Sequence, residues 1–363
     1  MLPHLSDRAQ TLADGIPDTA SNLVPHSRPE IRPEEVDAVA KVIASGRLAT
    51  GEQVALFEEA LAQHVGAAGA VATNSGTSAL HLALLALDVG TGDEVILPSW
   101  ACASVSSAVR YTGATPVVVD VDPDTGNIDP KAARRALTRR TRAIIAVHAA
   151  GLPAEMNALL ALGVPVIEDC AQALGATYAG RPAGSLGVIS IFSFYATKVI
   201  TTGHGGMLAT SDPRLLERAR DHLGCDKKDD DQLRYNYSLT DFQAAMGRLQ
   251  LARLPQIVAR RRSLAERYRS EGLPDWHGPR DGHIYYRYLI RVQNLEAAIS
   301  WLAARGVDAK PPVYRTLAQD GSRSCPVAET IQKSVLSIPL YPALEEEEID
   351  RVIRALREMP RAL

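Results

Sequence analysis

Two stretches of the chain carry residue types able to do chemistry together: Val166–Ala176 (VIEDCAQALGA) and Ile189–Thr210 (ISIFSFYATKVITTGHGGMLAT). In the first, Asp169 closes an apolar run and Gln172 follows three residues on. In the second, Lys198 stands between the strand-like ISIFSF and the glycine-rich TTGHGG. A lysine after a buried strand is partly desolvated, which favours the neutral, nucleophilic amine. An acid and an amine about thirty residues apart, each closing such a strand, suit pyridoxal 5'-phosphate (PLP). The lysine would form a Schiff base with it, and the acid would pair with its pyridinium nitrogen.

Other residues fit the same picture. Ser75-Gly76-Thr77 follows the run AVAT and opens SALHLALLAL. Backbone N–H groups at a helix start, with a glycine permitting close approach, form an anion site suited to a phosphate. Serine and threonine are also ordinary N-caps, so this signal alone is weak. Ser193, five residues before Lys198, offers a hydroxyl to the same phosphate. Trp100, after EVILP, reads either as a core aromatic or as a ring stacked on a flat cofactor. Tyr195 is near enough to Lys198 in sequence to share its pocket.

The elements that position these residues follow from hydrophobic periodicity. Runs at 70–73, 94–98, 116–121, 143–147, 164–168 and 188–194 read as strands, most of them apolar on both faces. That pattern predicts a parallel sheet covered on each side by helices, with helical segments such as Ser78–Leu87 and Lys131–Leu137 as crossovers. A helix is expected from Pro33 to Ile43, stopped by Gly46. Beyond Asp241 the chain reads as a long helix interrupted near Pro255, a strand over Tyr285–Val292, a helix over Leu295–Arg305 and a final helix over Leu344–Met359. The expected organisation is an N-terminal arm (1–24), a large doubly wound α/β domain (25–255) and a smaller α+β C-terminal domain (256–363). Ligands of such a sheet sit at the carboxyl ends of its strands.

Composition narrows the function classes. A net charge of −3 over 363 residues supplies no basic field for nucleic acid or an anionic membrane. No run approaches the roughly 18 apolar residues of a membrane helix, and the first fifteen residues lack the apolar core of a signal peptide. The four cysteines are scattered, without CxxC or a histidine at metal spacing, which argues against a zinc site and a disulfide framework. A cytoplasmic location and no metal are expected.

Taken together, these segments resemble the DegT/DnrJ/EryC1/StrS group of PLP-dependent sugar aminotransferases, proteins of PLP fold type I. The resemblance runs from Ser45-Gly46 and Thr50-Gly51 through NSGTSALHLALLAL, GDEVILPSW, GATPVVVDVDPDTGNID, VIEDCAQALGA and FSFYATKVITTG to TDFQAAMGRLQLARL and VLSIPLYP. It implies that Lys198 carries the cofactor and shuttles a proton, and that Asp169 keeps the pyridine nitrogen protonated. Gln172 would bond the ring hydroxyl and Trp100 would stack on the ring. Ser75, Gly76, Thr77 and Ser193 would hold the phosphate. Asn236, in YNYSLTDFQAA, would reach the phosphate of a neighbouring subunit, which implies a homodimer with shared sites. The implied reaction transfers an amino group from glutamate or glutamine to a keto sugar, usually nucleotide-linked. A keto cyclitol as acceptor, or a PLP-binding regulatory protein with little turnover, are the alternatives.

The chain departs from the family pattern at three places: His204 replaces a glutamate, Ser238 an arginine, and Gly151-Leu152-Pro153 a GQP segment. His204 is therefore expected at the substrate mouth or subunit contact, as is Tyr314 after Lys310-Pro311-Pro312. Arg28, Lys227, Lys228 and Arg234 are the basic residues considered for a nucleotide diphosphate.

Overall fold

Residues 23–224, 229–320, 324–360 and 362 are described by the computed structural model, so most of the expected arm lies outside them. Runs that are apolar on both faces cannot stay at a surface, and here they pair side by side under helices. The strands are β1 (Gly69–Thr73), β2 (Glu94–Pro98), β3 (Thr115–Val119), β4 (Thr141–Val147) and β5 (Val166–Asp169). A short ribbon of β6 (Thr177–Tyr178) and β7 (Arg181–Pro182) precedes β8 (Ile189–Ser193) and β9 (Gly206–Thr210). All but β6 and β7 join one seven-stranded sheet of order β1-β9-β8-β5-β4-β2-β3. Pairings from β8 through β5, β4 and β2 to β3 are parallel, as the sequence predicts.

β9 is the antiparallel member, paired to both β1 and β8, and the sequence reading assigns it no strand. Two glycines ahead of a short apolar run hide its signal. The second of them has a steric task. A Cβ on Gly206 would lie 2.3 Å from the Ser75 carbonyl oxygen and 2.5 Å from the Gly76 nitrogen. Only bare backbone lets β9 press against the start of the helix Gly76–Ala86.

Helices form near the expected places. Pro33–Ser45 ends at Gly46, whose φ of 72° provides the left-handed stop. The long C-terminal helical run divides into Asp241–Ala252 and Leu254–Ser270, with Pro255 in the first turn of the second, where a missing N–H costs nothing. That second helix gives Ile257 and Val258 to the core under the large sheet, and Leu264 and Tyr268 to a C-terminal core. The C-terminal core lies on an antiparallel pair, β10 (Tyr288–Arg291) and β11 (Val335–Ile338). The strand expected from Tyr285 starts three residues later, because Tyr285 takes a φ of 51° that ends an extended run.

Val24 bridges Val307 in parallel and is buried in the C-terminal core, while Arg28 bonds the Ala343 carbonyl at 2.8 Å and Glu348 at 2.9 Å. The sequence gives no sign of this docking. Among the described residues, no helix is long and apolar enough to cross a membrane.

Gly206→Ala is expected to lower stability by about 1–3 kcal/mol, the usual cost of overpacking. Urea unfolding of the variant should show an earlier midpoint at unchanged slope; an unchanged midpoint would contradict the close approach.

Candidate active site

The carboxyl ends of β5 and β8 open onto one cavity of about 330 Å³. Ser75, Gly76, Thr77, Asp169, Gln172, Ser193, Tyr195, Lys198 and His204 all line it. These nine residues span 130 positions from Ser75 to His204, and the crossover topology brings them together.

Asp169 is 6% exposed, and its Oδ1 accepts the Ala171 N–H at 3.0 Å. Burial pushes its carboxyl above the ordinary range; the Ala171 N–H, Lys198 and His148 pull the other way more weakly. The preceding residue anchors the strand end from behind. Glu168 is fully buried and accepts N–H groups from Gly184 (2.9 Å), Leu186 and Gly187 (both 2.7 Å). His148 Nδ1 accepts the Ala154 N–H at 3.0 Å, so its Nε2 donates to Glu168, 3.1 Å away. Burial favours a protonated Glu168, but these hydrogen bonds outweigh it and hold the carboxyl below its usual value.

His148, Glu168 and Cys170 bring their ligand atoms within 4.8 Å of one another, a convergence the sequence spacing hides. With His148 and Glu168 already engaged by protein groups, the cluster is a hydrogen-bonded support for Asp169, not a built metal site.

Gln172 turns its Oε1 to the Ala150 N–H at 2.8 Å, which leaves its Nε2 free to donate into the cavity. At the opposite end Ser75 caps its helix, accepting the Ser78 N–H at 3.1 Å. The Gly76 and Thr77 N–H groups, at the first helical positions, have no acceptor within the helix. A Cβ on Gly76 would lie 2.8 Å from Ser193 Cβ and 3.2 Å from its Oγ. The helix start, the end of β8 and the start of β9 thus form a close cradle into which only the small Ser193 side chain reaches. Lys198 lines the same cavity, its Nζ 5.4 Å from the centre of the Tyr286 ring. Tyr195 and His204 meet edge to face at 5.1 Å.

Three expected residues are not in the cavity. Trp100 is 2% exposed and packs edge to face on Trp276, 5.7 Å away. The stacking role expected of it does not fit this placement: position 100 turns inward, and Cys102, two residues on, lines the cavity instead. Cys102 is the N-cap residue of the helix Ala103–Tyr111. Asn236 is exposed, its carbonyl accepting from Asn74 Nδ2 at 3.4 Å. Tyr314 is 71% exposed, its carbonyl bonded by Gln332 Nε2 at 2.8 Å. Of the basic residues considered, Arg28 is paired with Glu348, and Arg234 with Asp221 and Asp230. Lys227 and Lys228 lie outside the described residues.

A buried carboxylate short of hydrogen-bond partners, an amine and a glycine-lined helix start fit the nitrogen, aldehyde and phosphate of PLP. Fold and site define a PLP-dependent aminotransferase of fold type I. The model of the DegT/DnrJ/EryC1/StrS aminotransferase family matches residues 29–357, and the chain belongs to that family. Among similar solved structures is the aminotransferase TlmJ from Streptoalloteichus hindustanus, 34% identical, with a TM-score of 0.87 over 92% of this chain and 98% of that one. DesV of S. venezuelae, solved with a ketimine intermediate, is 36% identical with a TM-score of 0.86 over 92% and 98%. The PLP form of the putative sugar aminotransferase Spr1654 from Streptococcus pneumoniae is 28% identical, with a TM-score of 0.86 over 92% and 97%.

Because Cys102 faces the cavity and Trp100 does not, PLP should slow alkylation of Cys102 severalfold, read by peptide mass spectrometry. Trp100→Phe should leave cofactor affinity within about twofold, well under the 1.4 kcal/mol that makes a tenfold change. Unprotected Cys102 with a large loss of affinity in Trp100→Phe would restore the stacking role to the tryptophan.

Proposed function

We propose that this enzyme moves an amino group from glutamate or glutamine to a keto sugar, nucleotide-linked, in two half-reactions at the cavity of Lys198 and Asp169. The observation that carries this reading is the convergence of Lys198, the buried Asp169 and the Gly76–Ser193 cradle on one cavity.

Bound PLP supplies an electron sink for charge developing on the reacting carbon. The protein's part is binding, orientation and proton movement. Gly76 and Thr77 N–H groups, with the hydroxyl of Ser193, would hold the phosphate dianion at the positive end of the helix that Ser75 caps. Gln172 Nε2 donates to the ring hydroxyl. Asp169 Oδ2 would accept a hydrogen bond from the protonated ring nitrogen, whose positive charge would offset the burial that otherwise disfavours this carboxylate. Lys198 Nζ would take the proton from the substrate carbon as general base and give it back as general acid on the same face.

His204 and Tyr195, paired in the wall, meet the acceptor. Arg110 and Arg315 line a groove of about 230 Å³ on the other side of the helix that Cys102 caps, and suit the acceptor's diphosphate. The Streptococcus pneumoniae neighbour is described as a putative sugar aminotransferase, which supports a sugar ketone. Asn236, exposed beside the cradle loop, and the exposed Ile31, Val36, Ile43 and Leu48 support a homodimer in which subunits complete each other's sites. Free thiols at Cys102, Cys170 and Cys325 suit a reducing, cytoplasmic setting.

A single-turnover experiment tests the first half. PLP-loaded enzyme mixed with L-glutamate should release one 2-oxoglutarate per site, and Lys198→Ala should release none at the same mixing time. Equal release from the variant would overturn the role of Lys198.

A further inference from the structure

Tyr286 is a buried titratable residue beside Lys198 to which the transamination scheme gives no work. It is 4% exposed, and cationic groups reach it from three segments. Lys198 Nζ, from the loop after β8, lies 5.4 Å from the ring centre. The Arg287 guanidinium lies 4.6 Å from that centre, and its Nη2 donates to the phenol oxygen at 3.2 Å. The Arg261 guanidinium, from the helix Leu254–Ser270, is 6.0 Å away. A cation within about 6 Å of a desolvated aromatic ring is attracted by its quadrupole.

The backbone and Cβ of Tyr286 are held in place from two sides. A Cβ on Gly151 would lie 2.8 Å from the Tyr286 nitrogen and 3.1 Å from its Cβ, so the 148–152 loop presses directly on it. Arg261 Nη1 fixes the backbone there, donating to the carbonyls of Tyr285 (3.3 Å), Tyr286 (3.2 Å) and Leu340 (3.0 Å). Arg287 N–H bonds the Ala150 carbonyl at 3.3 Å, and Ala150 N–H bonds Gln172. The seat under Lys198 is therefore tied through one loop to the residue proposed to bond the cofactor ring.

We propose that Tyr286 is a positioning residue for Lys198: its ring seats the lysine amine when that amine is not bound to cofactor, and the ionisation of its phenol is coupled to the charge of that amine. Burial by itself pushes the phenol up. Lys198, then Arg287, a hydrogen bond with Thr197, and Arg261 outweigh it and bring the group from 10.0 down to about 8. Coupling is reciprocal: whatever the amine's charge does to the phenol, the phenolate does to the amine. An amine held by a partly ionised ring stays on one side of the cavity until a ligand displaces it. The inference takes from the functional reading only that Lys198 is the reacting amine.

The test is a tyrosinate ultraviolet titration of the full chain before cofactor is added. Wild type should show one tyrosine ionising near pH 8, and Tyr286→Phe should lose that step while retaining a cooperative melt. In Lys198→Met the step should move up by about one pH unit, the size expected when an adjacent opposite charge is removed. Lys198→Met reads the coupling even if Tyr286→Phe damages the core. A step that survives Tyr286→Phe, or that Lys198→Met leaves in place, overturns the proposal. The titration uses no cofactor, so its failure leaves the aminotransferase reading intact, and failure of the glutamate experiment leaves this coupling standing.

Discussion

A carboxylate kept out of water at the end of β5 is the constraint on which the rest of the site depends. Asp169 pairs across the sheet with Val147 of β4 and Ile191 of β8, so its place is fixed by the central register. Burial opposes its charge, and within the chain its carboxylate has the Ala171 N–H and the more distant Lys198 and His148 to oppose that burial. Such a group is stable as an anion only with a cation close by, and the cavity in front of it is where one would sit. The Glu168–His148 pair behind it keeps the strand end from relaxing toward solvent.

The phosphate end is built by a different principle. There two glycines let segments close in: the start of β9 at Gly206 meets the helix start as backbone, and the Ser193 side chain at the end of β8 packs against Gly76. Unpaired N–H groups then face the space left between them. Lys198 lines the same cavity. The 148–152 loop reaches both Gln172 and Tyr286, so one short segment positions a ring contact and the seat of the amine.

Much of this was legible in the sequence, for physical reasons that also mark where legibility stops. Strands apolar on both faces announce a covered parallel sheet, and an acid and a lysine at two of their ends announce a site, since topology alone carries such ends to one place. β9 escaped because its run is short and its glycines read as a turn. Trp100 was misplaced because the chain leaves a strand and enters a helix there, and neither period predicts which residue turns outward; Cys102 does. Tyr286 and the His148–Glu168–Cys170 cluster depend on contacts between distant segments that no local pattern encodes. Charge alone makes Arg28 and Arg234 candidates for a diphosphate, and their partners Glu348 and Asp221 lie on segments no local pattern links to them.

The central claim is that Asp169 keeps the cofactor's ring nitrogen protonated. Nitrogen-15 NMR of enzyme loaded with ring-labelled PLP reads that proton directly. A shift characteristic of a pyridinium nitrogen in the wild type at neutral pH, lost in Asp169→Asn, is the predicted result. A neutral pyridine nitrogen in the wild type, or a pyridinium unchanged in Asp169→Asn, would contradict the account.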